Sequence, residues 1–323
     1  VGLGTNNFGD VIDAQQAALV THRAMELGVN FFDTSNSYGD GLSEEYLGKA
    51  VKGNRSRVII ATKFARLGHL SQVRQPSRPT LMEGASRHNI MQEVEKSLRH
   101  LGTDYIDLYQ AHFWDPYTPI EETLRALDDL VHQGKVRYTG CSGFAAWQVC
   151  EAMWASRMLN LNTFASAMAE YNLLHRDIEG ELVPCCLAYG VGIIPFYPLA
   201  SGFLTGKYRR GQSPPAGTRL AASTGPVQES WTPRRKHFLS IVGEHLGQKM
   251  SEENFAIVER LEGFARERGH TLAELALAWL LANPAVSTVI PGATRPDQVE
   301  ANVKAAEWHL AAEDMAQIGE MLP

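Results

Sequence analysis

The stretch Phe31-Phe32-Asp33-Thr34-Ser35-Asn36-Ser37-Tyr38-Gly39 begins as a strand and ends as a loop. Residues 29–32 are apolar and β-prone for the most part, and Gly28 precedes them. Polarity changes abruptly at Asp33, where a parallel strand would end, and Tyr38 follows five residues on, beside Gly39. A helical pattern over 43–51 comes next. In a β/α unit this order puts a carboxylate and a phenol at the carboxyl end of a strand, where α/β folds keep their chemistry. Taken alone, the pair reads equally well as a helix-capping Asp and a loop Tyr.

Two later strand ends shift that balance. The apolar strand 57–62 runs into Lys63, and the strand 105–111 runs into His112. A lone Lys at a strand end is usually a snorkelling surface residue, and a lone His is usually structural. Asp33, Tyr38, Lys63 and His112 at matched strand ends are harder to dismiss.

Working outward, the chain alternates short apolar strands with amphipathic helices. Strands are expected at 1–5, 29–32, 57–62, 105–111, 136–141, 164–168, 191–196 and 286–290. Helices are expected at 14–27, 43–51, 88–101, 119–132, 146–158, 253–268 and 272–283. Eight strands with intervening helices spell an α/β fold, a (β/α)8 TIM barrel, with residues 1–323 as a single domain. Two long stretches interrupt the rhythm, 65–87 after the third strand and 201–250 after the seventh. Loops of that length are usually functional or mobile, and on a barrel they lie on the catalytic face.

Composition narrows the class. A net charge of −6 argues against nucleic-acid binding. The four cysteines (Cys141, Cys150, Cys185 and Cys186) form no CxxC pair, so neither a zinc site nor a redox dithiol is indicated, and reduced thiols in a cytoplasmic protein are expected. No apolar run reaches the ~18 residues of a membrane span, and no signal peptide is visible.

These motifs, with Asp104-Tyr105-Ile106-Asp107-Leu108-Tyr109-Gln110-Ala111-His112, Glu170-Tyr171-Asn172-Leu173-Leu174, Pro198-Leu199-Ala200-Ser201-Gly202 and Ile290-Pro291-Gly292-Ala293, give the chain a resemblance to the aldo-keto reductases over nearly its whole length. The likeness is to the channel β-subunit-like and long-chain bacterial-type branch. Members usually carry a short β-hairpin ahead of the first strand, so residues preceding Val1 are expected. The resemblance implies a catalytic tetrad of Asp33, Tyr38, Lys63 and His112. It implies an NADP(H)-dependent enzyme, with NAD(H) as the alternative, acting on a small-molecule carbonyl or alcohol. A homo-oligomer is compatible with it. Carbonyl reduction needs a hydride on carbon and a proton on oxygen. A free Tyr, with a pKa of about 10, is a poor acid near neutrality, and an adjacent ammonium corrects this. By resemblance, Lys63 supplies the ammonium, Asp33 holds it and His112 orients the carbonyl.

No side chain carries a hydride, so an organic cofactor must. Gly2-Leu3-Gly4-Thr5-Asn6-Asn7 departs from the Rossmann fingerprint at the third glycine. Barrels instead bind phosphate on the loops after strands seven and eight. Here these are 198–207, Gly-rich and ending at Lys207, and 291–295 at a helix start suited to an anion. The resemblance assigns cofactor contacts to Ser142, Gly143, Met168, Phe196, Tyr197, Pro198, Leu199, Gly202, Lys207, Ile290, Gly292, Thr294, Arg295, Gln298 and Asn302. Gly143 and Met168 stand where the family has carboxamide-binding Asn and Gln. Gly292 stands where some members place a lysine on the 2′-phosphate, which leaves Arg295 to supply that charge. The substrate pocket is expected at Phe8, Phe64, Phe113, Trp114 and Trp231, suiting an apolar or ring-bearing compound. A second class fits the same resemblance, a cofactor-binding regulatory or scaffold subunit. A metal-dependent barrel hydrolase lacks a His-x-His or carboxylate cluster at the strand ends, so no metal is expected.

Overall fold

The computed structural model describes residues 1–65, 84–216, 218–225 and 233–322. Seven strands, β1 Leu3–Gly4, β2 Phe31–Asp33, β3 Ile59–Phe64, β4 Ile106–Ala111, β5 Val136–Ser142, β6 Phe164–Glu170 and β7 Gly192–Phe196, form one sheet in chain order. The pairings from β1 to β6 are parallel. The register sets Asp33 beside Ala61, Lys63 beside Gln110 and Ser142 beside Met168.

The eighth strand expected at 286–290 is replaced by extended chain that makes two isolated parallel bridges, Ile193 with Val286 and Gly4 with Gly292. These join the segment to β7 and to β1, so the strands close on themselves as an α/β barrel. Pro291 has no N–H to offer a ladder, which limits regular pairing there. Its carbonyl still accepts from Gly4 N at 3.2 Å. A Cβ on Gly4 would lie 2.8 Å from Ile290 O, so the approach needs a glycine.

Contacts divide the described chain into two compact units. The first comprises Val1–Ala169, Ile178–Phe196 and Ala285–Val299. It holds the strands, apart from the last residue of β6, and helices α1 Ala14–Glu26, α2 Leu42–Ala50, α3 Arg87–Leu101, α4 Ile120–His132, α5 Ala146–Met158 and α6 Leu182–Tyr189. Local chemistry marks the helix ends. Asp13 caps α1 through Gln16 N, Ser86 caps α3 through Asn89 N, and Gly102 ends α3 in the left-handed region. Ala61, Leu108, Met168, Ile194 and Ile290 form a buried cluster, with Phe31 and Phe196 packed against it. Burial of each large side chain there stabilises the fold by about 1.5–3 kcal/mol.

The second unit comprises Glu170–Asp177, Tyr197–Pro284 and Glu300–Pro323. It contains α7 Arg219–Thr224, α8 Pro233–Lys249, α9 Glu252–Glu267 and α10 Leu272–Leu281. Helix α11, Pro296–Lys304, spans the division in the chain, and α12 is Ala312–Met321. The stretch 201–250, expected as a loop, is therefore partly helical. Leu239, Val242 and Leu246 are buried at helical spacing on α8, a stripe that the surrounding Arg, Lys, His and Gly residues obscure in the sequence. Thr271 and Glu274 close a reciprocal cap on α10, and Trp279 packs on Tyr171 at 5.2 Å between ring centroids.

Candidate active site

Asp33 ends β2 and Lys63 lies near the end of β3, 2% and 1% exposed. Lys63 Nζ donates to both Asp33 oxygens at 2.7 Å and to Thr34 O at 2.8 Å. Burial lowers the Lys63 ammonium and raises the Asp33 carboxyl, and their contact opposes both shifts. The fully buried Glu44 adds to the opposition at Lys63. Glu44 is itself held by Thr62 Oγ1 at 2.6 Å and His100 Nδ1 at 3.1 Å. A buried pair of this kind is weak evidence for stability, since desolvation consumes most of the attraction.

Tyr38 opens a short turn, Tyr38–Gly41, and Lys63 Nζ lies 5.1 Å from its ring centroid. Gly39 is required there. Its φ is +56°, and a Cβ would meet Phe8 O at 2.7 Å. His112 follows β4, its ring 6.1 Å from that of Tyr38 and nearly perpendicular to it. Burial, then the Lys63 charge, pushes the His112 imidazole down to about 3. Its Nδ1 meets Ser35 Oγ at 3.3 Å. Next to it, Asn36 Nδ2 donates to Glu93 Oε2 at 2.6 Å. The four strand-end residues singled out in the sequence thus lie together in the first unit. Reading by strand ends missed Ser35, Asn36, Glu44 and Glu93, although two of them lie inside the quoted stretch.

Of the other positions in this unit, Ser142 ends β5 and is buried. Gly143 follows with φ +65°, and its N–H donates to Met168 O at 2.9 Å. The Met168 side chain belongs to the apolar cluster, and Phe196 packs on the same cluster. Ile290 is also buried there. A Cβ on Gly292 would sit 3.2 Å from Asn7 Nδ2. Thr294 donates from both N and Oγ1 to Gln298 Oε1, at 2.8 and 3.1 Å. Arg295 immediately precedes α11, whose first residue is Pro296, and its guanidinium is paired with Asp297 at 3.0–3.1 Å. Phe8 and Phe64 are fully buried, and Phe64 packs against Tyr109. Phe113 and Trp114 are half-buried. Trp114 meets Phe144 and Trp147 edge-on at 5.2 and 5.4 Å, two aromatics that sequence spacing could not connect to it. Trp231 lies outside the described residues.

In the second unit, Tyr197, Ala200, Ser201 and Gly202 all have positive φ, so the loop after β7 is tightly wound. Pro198 is buried and Leu199 half-buried. Leu199 O accepts from Gly202 N at 2.8 Å. Lys207 Nζ lies 2.8 Å from where a Cβ on Gly202 would be, so the glycine keeps room for the ammonium. Ser201 Oγ meets His245 Nδ1 at 3.1 Å, and His245 Nε2 meets Glu170 Oε1 at 3.0 Å. Lys249 Nζ also lies 3.3 Å from Glu170. Asn302 is buried. Among the described residues, no group of three or more His, Cys, Asp or Glu side chains is arranged to hold a metal ion. No helix there is long and apolar enough to cross a membrane.

The sequence pattern of the Aldo/keto reductase family matches residues 1–323. Among similar proteins is a putative voltage-gated potassium channel subunit beta of Schizosaccharomyces pombe. It is 35% identical over 317 residues, 96% of this chain and 85% of that one. The uncharacterized oxidoreductase YrpG of Bacillus subtilis is 32% identical, over 99% of this chain and 91% of that one. Versiconal hemiacetal acetate reductase of Aspergillus parasiticus is 32% identical at the same two coverages. The chain belongs to the aldo/keto reductase family.

Proposed function

We propose that the chain reduces an aldehyde or ketone to the alcohol, or runs the reverse oxidation, with NADPH as the partner and Tyr38 as the general acid or base. The observation that carries this reading is a fully buried lysine, chelated by Asp33 at 2.7 Å and set beside the Tyr38 ring. Such a lysine is costly to bury, and it has a clear use in stabilising a phenolate.

A nicotinamide cofactor, when bound, supplies the hydride that no side chain can. Tyr38 Oη delivers the proton to the carbonyl oxygen. Lys63 favours the phenolate left behind, and Asp33 keeps Lys63 charged and aimed. His112 is neutral at physiological pH. In the tautomer with its single proton on Nε2, that proton can be offered to the carbonyl oxygen.

The donor set fits the phosphate-bearing part of such a cofactor better than the carboxamide part. Arg295 and Asp297 are 62% and 65% exposed, and a pair so exposed holds together by ~1 kcal/mol or less, so the guanidinium can be given up to a phosphate. At the carboxamide, Ser142 is the remaining polar side chain of the family's set, because Gly143 offers none and Met168 is committed to apolar packing.

The test is NADPH consumption against a panel of aldehydes and ketones, with Lys63→Met in parallel. Wild type should turn over several of them, and the variant should lose most of that activity while still binding NADPH. Cofactor binding without turnover by the wild type would favour the second reading, a regulatory subunit. The relatives named as channel β subunits and the altered carboxamide contacts are what support it.

A further inference from the structure

Cys150 and Cys185 are separated by 35 positions, and nothing in their spacing marks them as partners. They lie on α5 and α6, and their sulfurs are 3.1 Å apart, both as free thiols. About 1 Å of further approach reaches the ~2.05 Å of a disulfide. A second contact, from Cys185 Sγ to Ala146 O at 3.6 Å in the first turn of α5, aims the Cys185 side chain at its neighbour. Both thiols are half-buried and so reachable by a small reagent, whereas Cys141 and Cys186 are buried. Cys185 and Cys186 are consecutive on one helix and do not face each other.

We propose that Cys150 and Cys185 form a thiol–disulfide modification site whose oxidant is a low-molecular-weight disulfide of the glutathione class. The Cys150 thiolate attacks one sulfur of the oxidant, forming a mixed disulfide and releasing one thiolate. The Cys185 thiolate then attacks the Cys150 sulfur and expels the second. The protein loses two thiol protons to the two departing thiolates. The oxidant is reduced to two thiols as the protein gains one S–S bond. Burial, then its hydrogen bond to Cys150, pushes the Cys185 thiol up to about 12. The burial that disfavours its thiolate makes Cys185 the later attacker. Its step quickens as pH rises, because the thiolate is the nucleophile.

The site stands apart from the reductase reading, and its test needs no turnover. The chain is incubated with glutathione disulfide near pH 8, quenched with acid, alkylated under denaturing conditions, and mapped without reduction. Two of the four cysteines should escape alkylation, with a mass loss of two hydrogen atoms and one linked peptide pair joining Cys150 to Cys185. Cys185→Ser should stop at a single glutathione adduct on Cys150, and Cys150→Ser should yield no bridge. Four alkylated cysteines in the wild type would overturn the proposal, as would a bridge that includes Cys141 or Cys186. An adduct in Cys185→Ser on any cysteine other than Cys150 would overturn the order of attack.

Discussion

At the scale of the residue, His112 gives the most direct reading of the site's electrostatics. Its folded value of about 3 lies below the ordinary 6.5, so the neutral ring's contribution to stability is full above pH 6.5 and is lost as pH falls toward 3. Nuclear magnetic resonance of the imidazole should show no titration of His112 between pH 5 and 8; a midpoint near 6.5 would mean the ring is hydrated. Gly143 offers a second test. Its φ of +65° is one that Asn tolerates, and the nearest atom to an added Cβ is His112 O at 3.9 Å. Gly143→Asn should therefore tighten NADPH binding by about 0.5–1.5 kcal/mol, one net hydrogen bond. Met168→Gln should instead lower the unfolding midpoint, because an amide among Ala61, Leu108, Ile194 and Ile290 costs about 1–3 kcal/mol. Fluorescence titration and chemical denaturation separate the two outcomes. Arg295→Ala should weaken NADPH binding by roughly 1.5–3 kcal/mol and spare NADH, measured by the same titration. An equal loss for both cofactors would mark a structural effect.

At the scale of the element, strands that end on a charged residue were the most legible parts of the sequence. A hydrophobic run followed by Asp, Lys or His has few other readings, and β2, β3 and β4 end close to the expected positions. The eighth strand was less legible, because its closure depends on bridges and glycine contacts rather than on a long apolar run. Helix α8 was hidden because polar, charged and glycine residues interrupt its apolar positions in the sequence. One residue of that helix, His245, reaches Glu170 and Ser201, a link between distant parts of the chain with no local sequence signal. Burial alone would raise the Glu170 carboxyl. The His245 hydrogen bond, with the charges of His245, Lys249 and His175, outweighs burial and brings it down to about 2. The resulting stabilisation is present above the ordinary value of 4.5 and is lost as pH falls toward 2. Glu170→Gln should flatten the acid dependence of unfolding in that window, followed by circular dichroism. An unchanged acid limb would remove Glu170 from the account.

For the whole molecule, the α/β barrel and the family were legible because short apolar strands alternate with helices and titratable residues, Asp33, Tyr38, Lys63 and His112, recur at the same end of successive strands. The surroundings of the positions expected to meet a cofactor were less so, since they depend on glycine conformation, on which side chains are drawn into the core, and on pairings such as Arg295 with Asp297. The contacts of His245 with Ser201 and Glu170 and the Cys150–Cys185 contact were not legible, because each joins residues far apart in sequence. The central claim is that Tyr38 moves the proton of a carbonyl reduction, and the most direct measurement is stopped-flow NADPH oxidation by wild type and Tyr38→Phe on the best aldehyde substrate, with cofactor affinity measured beside it. The account predicts a loss of turnover of ~10²-fold or more with nearly unchanged NADPH affinity. Near wild-type turnover by Tyr38→Phe would contradict it.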